Sequence, residues 1–139
     1  MRIQPISARD IAVSALLTQR LRMNLIANNI ANAETTRTPE GGAFRRQLLV
    51  LQGASLNPHK PGQGGVSVKA ILKDPSPLRR IYNPGHPDAD AEGYVEYPNV
   101  SLPVEMADLV AAQRLYEANL AVLSAGQRIH QRALELIQR

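Results

Sequence analysis

Leu102, Met106, Leu109, Gln113, Tyr116, Leu120, Leu123, Gln127, His130, Leu134 and Ile137 recur at alternating spacings of four and three. That is a heptad seam, the pattern of a helix that packs lengthwise on another. It predicts a helix over residues 105–139, roughly 50 Å long at 1.5 Å per residue. Glu105 and Asp108 near its start and Arg139 at its end suit the helix dipole. Leu115, Val122, Ile129 and Leu136 form a second row off the main seam, repeating every seven residues. Gly126 follows Ser124-Ala125; it costs about 1 kcal/mol against Ala in a helix. Either it is a tolerated defect or the small run lets another backbone approach.

Val13, Leu17, Leu21, Asn24, Asn28 and Ala31 mark a second helical stripe near the start of the chain. Ser7 is the expected N-cap, with Asp10 three residues on in a near capping box. The predicted helix covers residues 7–33, roughly 39 Å, and Thr35-Thr36-Arg37-Thr38-Pro39 stops it, because the residue before a proline is pushed out of helical space. Asn24, Asn28, Asn29 and Asn32 crowd its end, each about half a kcal/mol worse than Ala in a helix interior. Asn24, Asn28 and Asn32 share one face. They read either as a fraying end with Asn32 as a left-handed cap or as one side of a polar seam.

Between the helices the pattern changes. Nine of the ten prolines and eight of the nine glycines lie between Pro39 and Pro103, so this stretch is irregular or β-rich. Strands are expected at 44–51, 65–72, 80–82 and 93–97, the second from its strict period-two alternation. Residues 57–64 read as a hairpin tip. The expected fold is therefore α+β: two long terminal helices packed as an antiparallel coiled coil, with a small β-rich module inserted between them. The divisions fall at 1–38, 39–98 and 99–139. A helix of about 35 residues is not covered by a small module and one shorter helix. Each exposed Leu forgoes roughly 1.5–3 kcal/mol of burial, so the second row predicts self-association or co-assembly.

Composition narrows this further. The chain has 139 residues, one Phe, four Tyr, no Trp and no Cys. The aromatics that usually dominate a thick core are few, and disulfides and thiolate metal sites are excluded. The start, Met1-Arg2-Ile3-Gln4-Pro5, does not read as a cleavable signal, and no apolar run approaches a membrane span. Net charge is +4, but the only basic clusters are the pairs Arg45-Arg46 and Arg79-Arg80. That favours a solvated surface over a nucleic-acid footprint.

Candidate chemistry is thin. His59, His86 and His130 lack ligand spacing, and His130 lies on the heptad seam as a packed residue. Asp88, Asp90 and Glu92 alternate but lack the glycine and closing glutamate of an EF-hand loop; they read as solvated acids. Ser7, Ser14 and Ser101 sit in no nucleophile elbow, and no phosphate-binding glycine loop occurs. No catalytic residue, cofactor or metal is expected.

The residues nevertheless match a family. Ala27-Asn28-Asn29-Ile30-Ala31-Asn32, followed by Thr35 and Thr36, resembles the asparagine motif of the flagellar axial proteins. Tyr82-Asn83-Pro84-Gly85-His86-Pro87-Asp88-Ala89-Asp90-Ala91-Glu92-Gly93-Tyr94-Val95 resembles the short proximal-rod members of the flagellar basal-body rod proteins. The likeness runs on through Pro98-Asn99-Val100, Glu105-Met106-Ala107-Asp108-Leu109 and Tyr116-Glu117-Ala118-Asn119-Leu120-Ala121-Val122-Leu123. It leaves residues 53–80 and the arginine pairs unaccounted for. The resemblance implies a structural rod subunit that assembles helically through its terminal helices, transmits torque and lines the export channel. Partners would be copies of itself, other rod proteins and the flagellar type III export apparatus, without nucleic acid or a membrane span. It would lie in the basal body, in the periplasm, exported without a cleavable signal. The expected assembly interface is Asn24, Asn28, Asn29, Asn32, Met106, Leu109, Tyr116, Asn119, Leu120, Leu123 and Ile137, with Asn24, Asn28 and Asn32 fixing register between packed helices. The alternatives are another axial rod subunit of the FlgB type and a basic helical nucleic-acid-binding module.

Overall fold

The computed structural model describes residues 8–55 and 64–137. Two helices, α1 (Ala8–Ala31) and α2 (Leu102–Ile137), bracket the strands β1 (Gln47–Gly53), β2 (Val66–Lys73), β3 (Arg79–Tyr82) and β4 (Tyr94–Tyr97). The strands make two separate antiparallel pairs, β1 with β2 and β3 with β4. This is the α+β arrangement that the pattern predicts. The expected cap Ser7, the terminal Arg139 and most of the 57–64 hairpin tip lie outside the described residues.

The boundaries differ from the expected ones for local reasons. Helix α2 begins three residues early because the Ser101 carbonyl already accepts the Glu105 N–H at 2.9 Å, and a proline at 103 is tolerated in a first turn. Strand β1 starts at Gln47 rather than 44. The amides before it are taken elsewhere: Phe44 N–H by the Thr35 carbonyl at 3.0 Å and Arg46 N–H by Asn99 Oδ1 at 2.8 Å. A register shift between Val50 and Leu51 breaks the β1–β2 ladder, the mark of a bulge that bends the hairpin.

The helices run antiparallel. Asn29, near the end of α1, bonds Glu105, near the start of α2. At the opposite pole Ala8 and Arg9 line the same groove as Leu123 and Gly126. On α1 the buried residues are Ala12, Thr18, Leu25, Ile26 and Asn29. On α2 the inward row is Glu105, Leu109, Ala112, Tyr116, Asn119 and Leu123, of which Glu105 and Ala112 are fully buried. Three of the eleven predicted seam positions lie on the inward face. Leu109, Tyr116 and Leu123 face in, whereas Met106 and Leu120 are 58% and 45% exposed and Gln113 is exposed as well. The helix is rotated by about one position because Glu105 is drawn inward by its partners and the small Ala112 lets α1 come close. His130 is exposed, not packed.

The β1–β2 hairpin is seated on α1. Gly65, at φ +116°, has no room for a side chain, because a Cβ there would collide with Ser14 Oγ. That hydroxyl accepts the Val66 N–H at 3.1 Å and donates to the Ile11 carbonyl at 2.7 Å. A glycine is required there both for its φ and for the close approach.

A Cβ at Gly126, by contrast, would meet nothing within 4 Å. Within one chain the residue is only a helix defect, so Gly126→Ala is expected to stabilise the isolated protein by about 1 kcal/mol. A urea midpoint unchanged or lowered in that variant would contradict this. Among the described residues no helix is long and apolar enough to cross a membrane.

Candidate assembly interface

Asn29 organises the junction between the two helices and the β module. It is 1% exposed and behaves like a residue of a neighbouring strand. Its Oδ1 accepts the Gln47 N–H at 2.9 Å, and its Nδ2 donates to the Gln47 carbonyl at 3.0 Å. The same amide nitrogen donates to Glu105 Oε2 at 3.1 Å. An asparagine in the last turns of a helix loses about half a kcal/mol of propensity; here it gains three bonds in a buried site, each worth about 1 kcal/mol net.

Glu105, with no exposed surface, completes the junction by accepting a charge-assisted bond from Arg46 Nε. The Arg46 guanidinium also reaches Asp108 at 3.3 Å and Asp74 at 3.8 Å, while its backbone is held by Asn99 and Asp74. Asn99 Nδ2 in turn donates to the Asp74 and Ser76 carbonyls at 3.3 and 3.1 Å, as does Arg45 at 3.4 and 3.1 Å. One arginine therefore ties β1, the β2–β3 loop and α2 together.

From the sequence, Arg46 is named only in a basic pair and Asn99 only in the family motif, and their place in this junction, Gln47 and the buried role of Glu105 are missed. The available signal was a carboxylate next to the apolar seam, matched by an arginine pair whose charge had no other outlet. The second pair is likewise engaged. Arg80 bridges Asp90 at 2.8 Å and lies 5.0 Å over the Tyr94 ring; Arg79 donates to the Pro98 carbonyl at 3.1 Å. These arginines hold the fold together rather than forming a free basic surface.

The acid loop is solvated at Asp90 and Glu92, as expected, while Asp88 is half-buried, and the loop is tied into the fold. Asp88 accepts from Thr36 Oγ1 at 2.8 Å and pairs with Arg37 at 2.6 Å, fastening the segment after α1 to the β3–β4 loop. Asp90 Oδ1 accepts the N–H groups of Glu92 and Tyr94 at 2.9 and 2.8 Å. Among the described residues no group of three or more His, Asp or Glu is placed to hold a metal ion.

The other asparagines do different work. Asn32 has no left-handed backbone, since among the described residues only glycines have positive φ; its side chain bonds the Asn28 carbonyl and Oδ1 at 2.9 and 3.1 Å. Asn28 is exposed and donates to Gln47 Oε1 at 3.3 Å. Asn24 is exposed, and Asn119 donates back to the Leu115 carbonyl at 2.7 Å. Of the expected interface residues, Asn29 is therefore internal to the chain. Leu109, Tyr116, Asn119 and Leu123 face α1, and Met106, Leu120 and Ile137 point away.

Much of the large apolar surface of α2 remains outside. Leu102, Met106 and Leu120 flank the inward row on one side. Leu115, Val122, Ile129 and Leu136 flank it on the other, 47, 55, 70 and 75% exposed. From Gly126 to Ile137 every residue of α2 is exposed. The two rows lie roughly a quarter-turn to either side of the α1 contact, so one helix presents two further packing surfaces.

Comparison with known proteins gives this arrangement a class. A family model described as flagella basal body rod protein matches residues 10–37, which is α1 and the asparagine motif. A second, the flagellar basal body rod FlgEFG protein C-terminal, matches residues 91–136, which is β4 and α2. Both helical ends are thus of the flagellar rod type. Among curated proteins, the flagellar basal-body rod protein FlgC of Borreliella burgdorferi is 42% identical over 95% of this chain and 97% of its own length. FlgC of Yersinia enterocolitica is 43% identical over 93% and 95%, and FlgC of Salmonella typhimurium 40% identical over the same shares. The chain belongs to the FlgC family of flagellar basal-body rod proteins, and is a structural subunit of the flagellar basal-body rod.

The charged junctions carry a pH dependence. The Ser76 hydroxyl and amide, then Arg46 and Arg45, hold Asp74 below the ordinary aspartate range. The Tyr94 amide, then Arg80 and the Glu92 amide, do the same for Asp90. A carboxylate with a lowered folded pKa stabilises fully above its unfolded value, about 3.9, and that stability is lost as pH falls through the folded value. Thermal stability is therefore expected to decline below about pH 4, with a shallower decline in Asp74→Asn. An identical acid slope in that variant would remove Asp74 from the account.

Proposed function

We infer that the chain builds the rod helically through α1 and α2, the two apolar rows of α2 packing on helices of neighbouring subunits. Those neighbours are copies of itself and other rod proteins. In this reading Met106, Leu120 and Ile137 are contact residues between subunits, and Asn28 and Asn32 at the end of α1 set how the motif meets them. The β module stays outside the helical layer. The assembly transmits torque and leaves a channel through which the type III apparatus exports further subunits, and this chain itself reaches the periplasm by that route. One observation carries the reading: α2 leaves most of its large apolar side chains uncovered after α1 and the β module have packed. Uncovered apolar area of this extent marks an interaction surface.

The test is a cryo-electron map of isolated basal bodies in which this chain is located. The expected result is α2 of each copy flanked on both rows by other helices. Placement with those rows facing solvent would overturn the reading.

A further inference from the structure

Strands β3 and β4 pair with each other and come close to no other helix or strand among the described residues. Their connecting loop, residues 83–93, is held to the rest of the chain by side-chain chemistry, and Asp88 supplies it. One carboxylate oxygen of Asp88 takes the Thr36 hydroxyl and the other takes the Arg37 guanidinium. A cleft of about 430 Å³ runs beside this clasp, lined by Thr36, Arg37 and Asp88 together with Tyr94 and Glu96.

Asp88 is itself aimed by His86. The imidazole is half-buried, and its Nδ1 accepts the Asp88 backbone N–H at 3.1 Å. A ring nitrogen that accepts a hydrogen bond carries no proton, so this imidazole is neutral with its hydrogen on Nε2. Two turns fix its place: the His86 N–H donates to the Asn83 carbonyl at 3.1 Å, and the Ala89 N–H donates to the His86 carbonyl at 3.0 Å. The ring packs 6.3 Å from that of Tyr97.

We propose that His86 is a proton-operated release for this clasp. An imidazole ordinarily changes charge near about pH 6.5, within the range that the periplasm and its surroundings cross. A proton on Nδ1 sets two donors against each other, and the bond to the Asp88 N–H is lost. The new cation also competes for the Asp88 carboxylate that Thr36 and Arg37 hold. Both effects act in one direction: the clasp is closed with the ring neutral and opens as pH falls through its titration. The charged and titratable groups that face His86 are Asp88 on its own loop, Tyr97 on β4 and, 6.0 Å from the same Tyr97 ring, Arg79 of β3. Arg37, from the segment after α1, reaches it only through Asp88. Opening frees the 83–93 loop from the segment that follows the asparagine motif and widens the cleft. The two helices and the β1–β2 hairpin keep their packing.

The test is amide hydrogen exchange read by NMR on the full chain, with the His86 ring titrated in the same samples. Protection of the Asp88 N–H, corrected for the intrinsic pH dependence of exchange, should fall about fivefold between about pH 7.5 and about pH 5.5. That is about 1 kcal/mol at 1.4 kcal/mol per decade, the net worth of one neutral hydrogen bond. The midpoint should coincide with that of the ring, and the Thr36 methyl resonance should move along the same curve. The Gln47 N–H, held by Asn29, should not respond. His86→Asn puts an oxygen where Nδ1 stands and does not titrate, so its Asp88 N–H should stay protected at both pH values; in His86→Ala it should be poorly protected at both.

Protection that stays level in the parent chain, or that falls at a midpoint other than the ring's, would overturn the proposal whether or not the variants fold. So would a fall that persists in His86→Asn, which places the titrating group elsewhere. A Thr36 resonance that stays still while the Asp88 amide loosens would overturn it too, because the clasp would then remain closed.

Discussion

Glu105→Ala is expected to destabilise the isolated chain by about 3 kcal/mol, the range for breaking a buried pair from one side. The glutamate has no exposed surface and satisfies two donors at once, Asn29 Nδ2 and Arg46 Nε. Removing it leaves the Asn29 amide with one fewer acceptor in a site without solvent. The Arg46 side chain, only 22% exposed, keeps only Asp108 at 3.3 Å and Asp74 at 3.8 Å. Glu105→Gln preserves the volume and one acceptor oxygen, but turns an NH₂ toward one of the two donors. It should therefore cost less, about 1–2 kcal/mol.

Urea unfolding of both variants gives the comparison. Amide exchange at Gln47, whose N–H is held by Asn29 Oδ1, locates the damage at the junction. The two variants falling together within about 0.5 kcal/mol of the parent, as surface substitutions do, would show that the network does not hold the helices to the β module.

That junction is also where reading the sequence reached its limit. The helices were legible because apolar periodicity over many turns leaves few alternatives, and the strands because β2 alternates and the prolines and glycines mark its ends. The rotation of α2 was not legible. Periodicity ranks faces by hydrophobicity, which placed Met106 and Leu120 inside. The true inward row passes through Glu105, Ala112 and Asn119, where a carboxylate is buried because an arginine 59 residues earlier in the chain reaches it. A partner so distant leaves no periodic trace. The asparagine motif was visible as an anomaly, yet its roles divided in a way spacing could not reveal. Asn29, off the shared face of Asn24, Asn28 and Asn32, is the buried one, because β1 runs past that side of α1. The arginine pairs looked like surplus charge for the same reason: their acceptors are backbone carbonyls and carboxylates brought close only by the fold.

The same rotation makes the second large effect separable from the first. Leu115→Asp/Val122→Asp is expected to leave the chain folded and abolish its incorporation into the rod. Both residues are about half exposed in the single chain, so two carboxylates there should change stability by no more than about 0.5 kcal/mol each. In the assembly each side chain would give up roughly 1.5–3 kcal/mol of apolar burial. An unpaired carboxylate buried in its place adds a further penalty of several kcal/mol. Two sites together exceed 5 kcal/mol by this reckoning, a loss of more than about a thousandfold in association at 1.4 kcal/mol per decade.

The checks are a parental urea midpoint, a circular dichroism spectrum with both helices retained, and the variant's absence from purified basal bodies in non-motile cells. Leu109→Asp, on the inward row, makes the opposite case: it should lose stability before assembly is ever in question. If the outward double variant swims, the row it disrupts is solvent-facing in the rod, and the packing surface of α2 must lie on the Met106–Leu120 side alone.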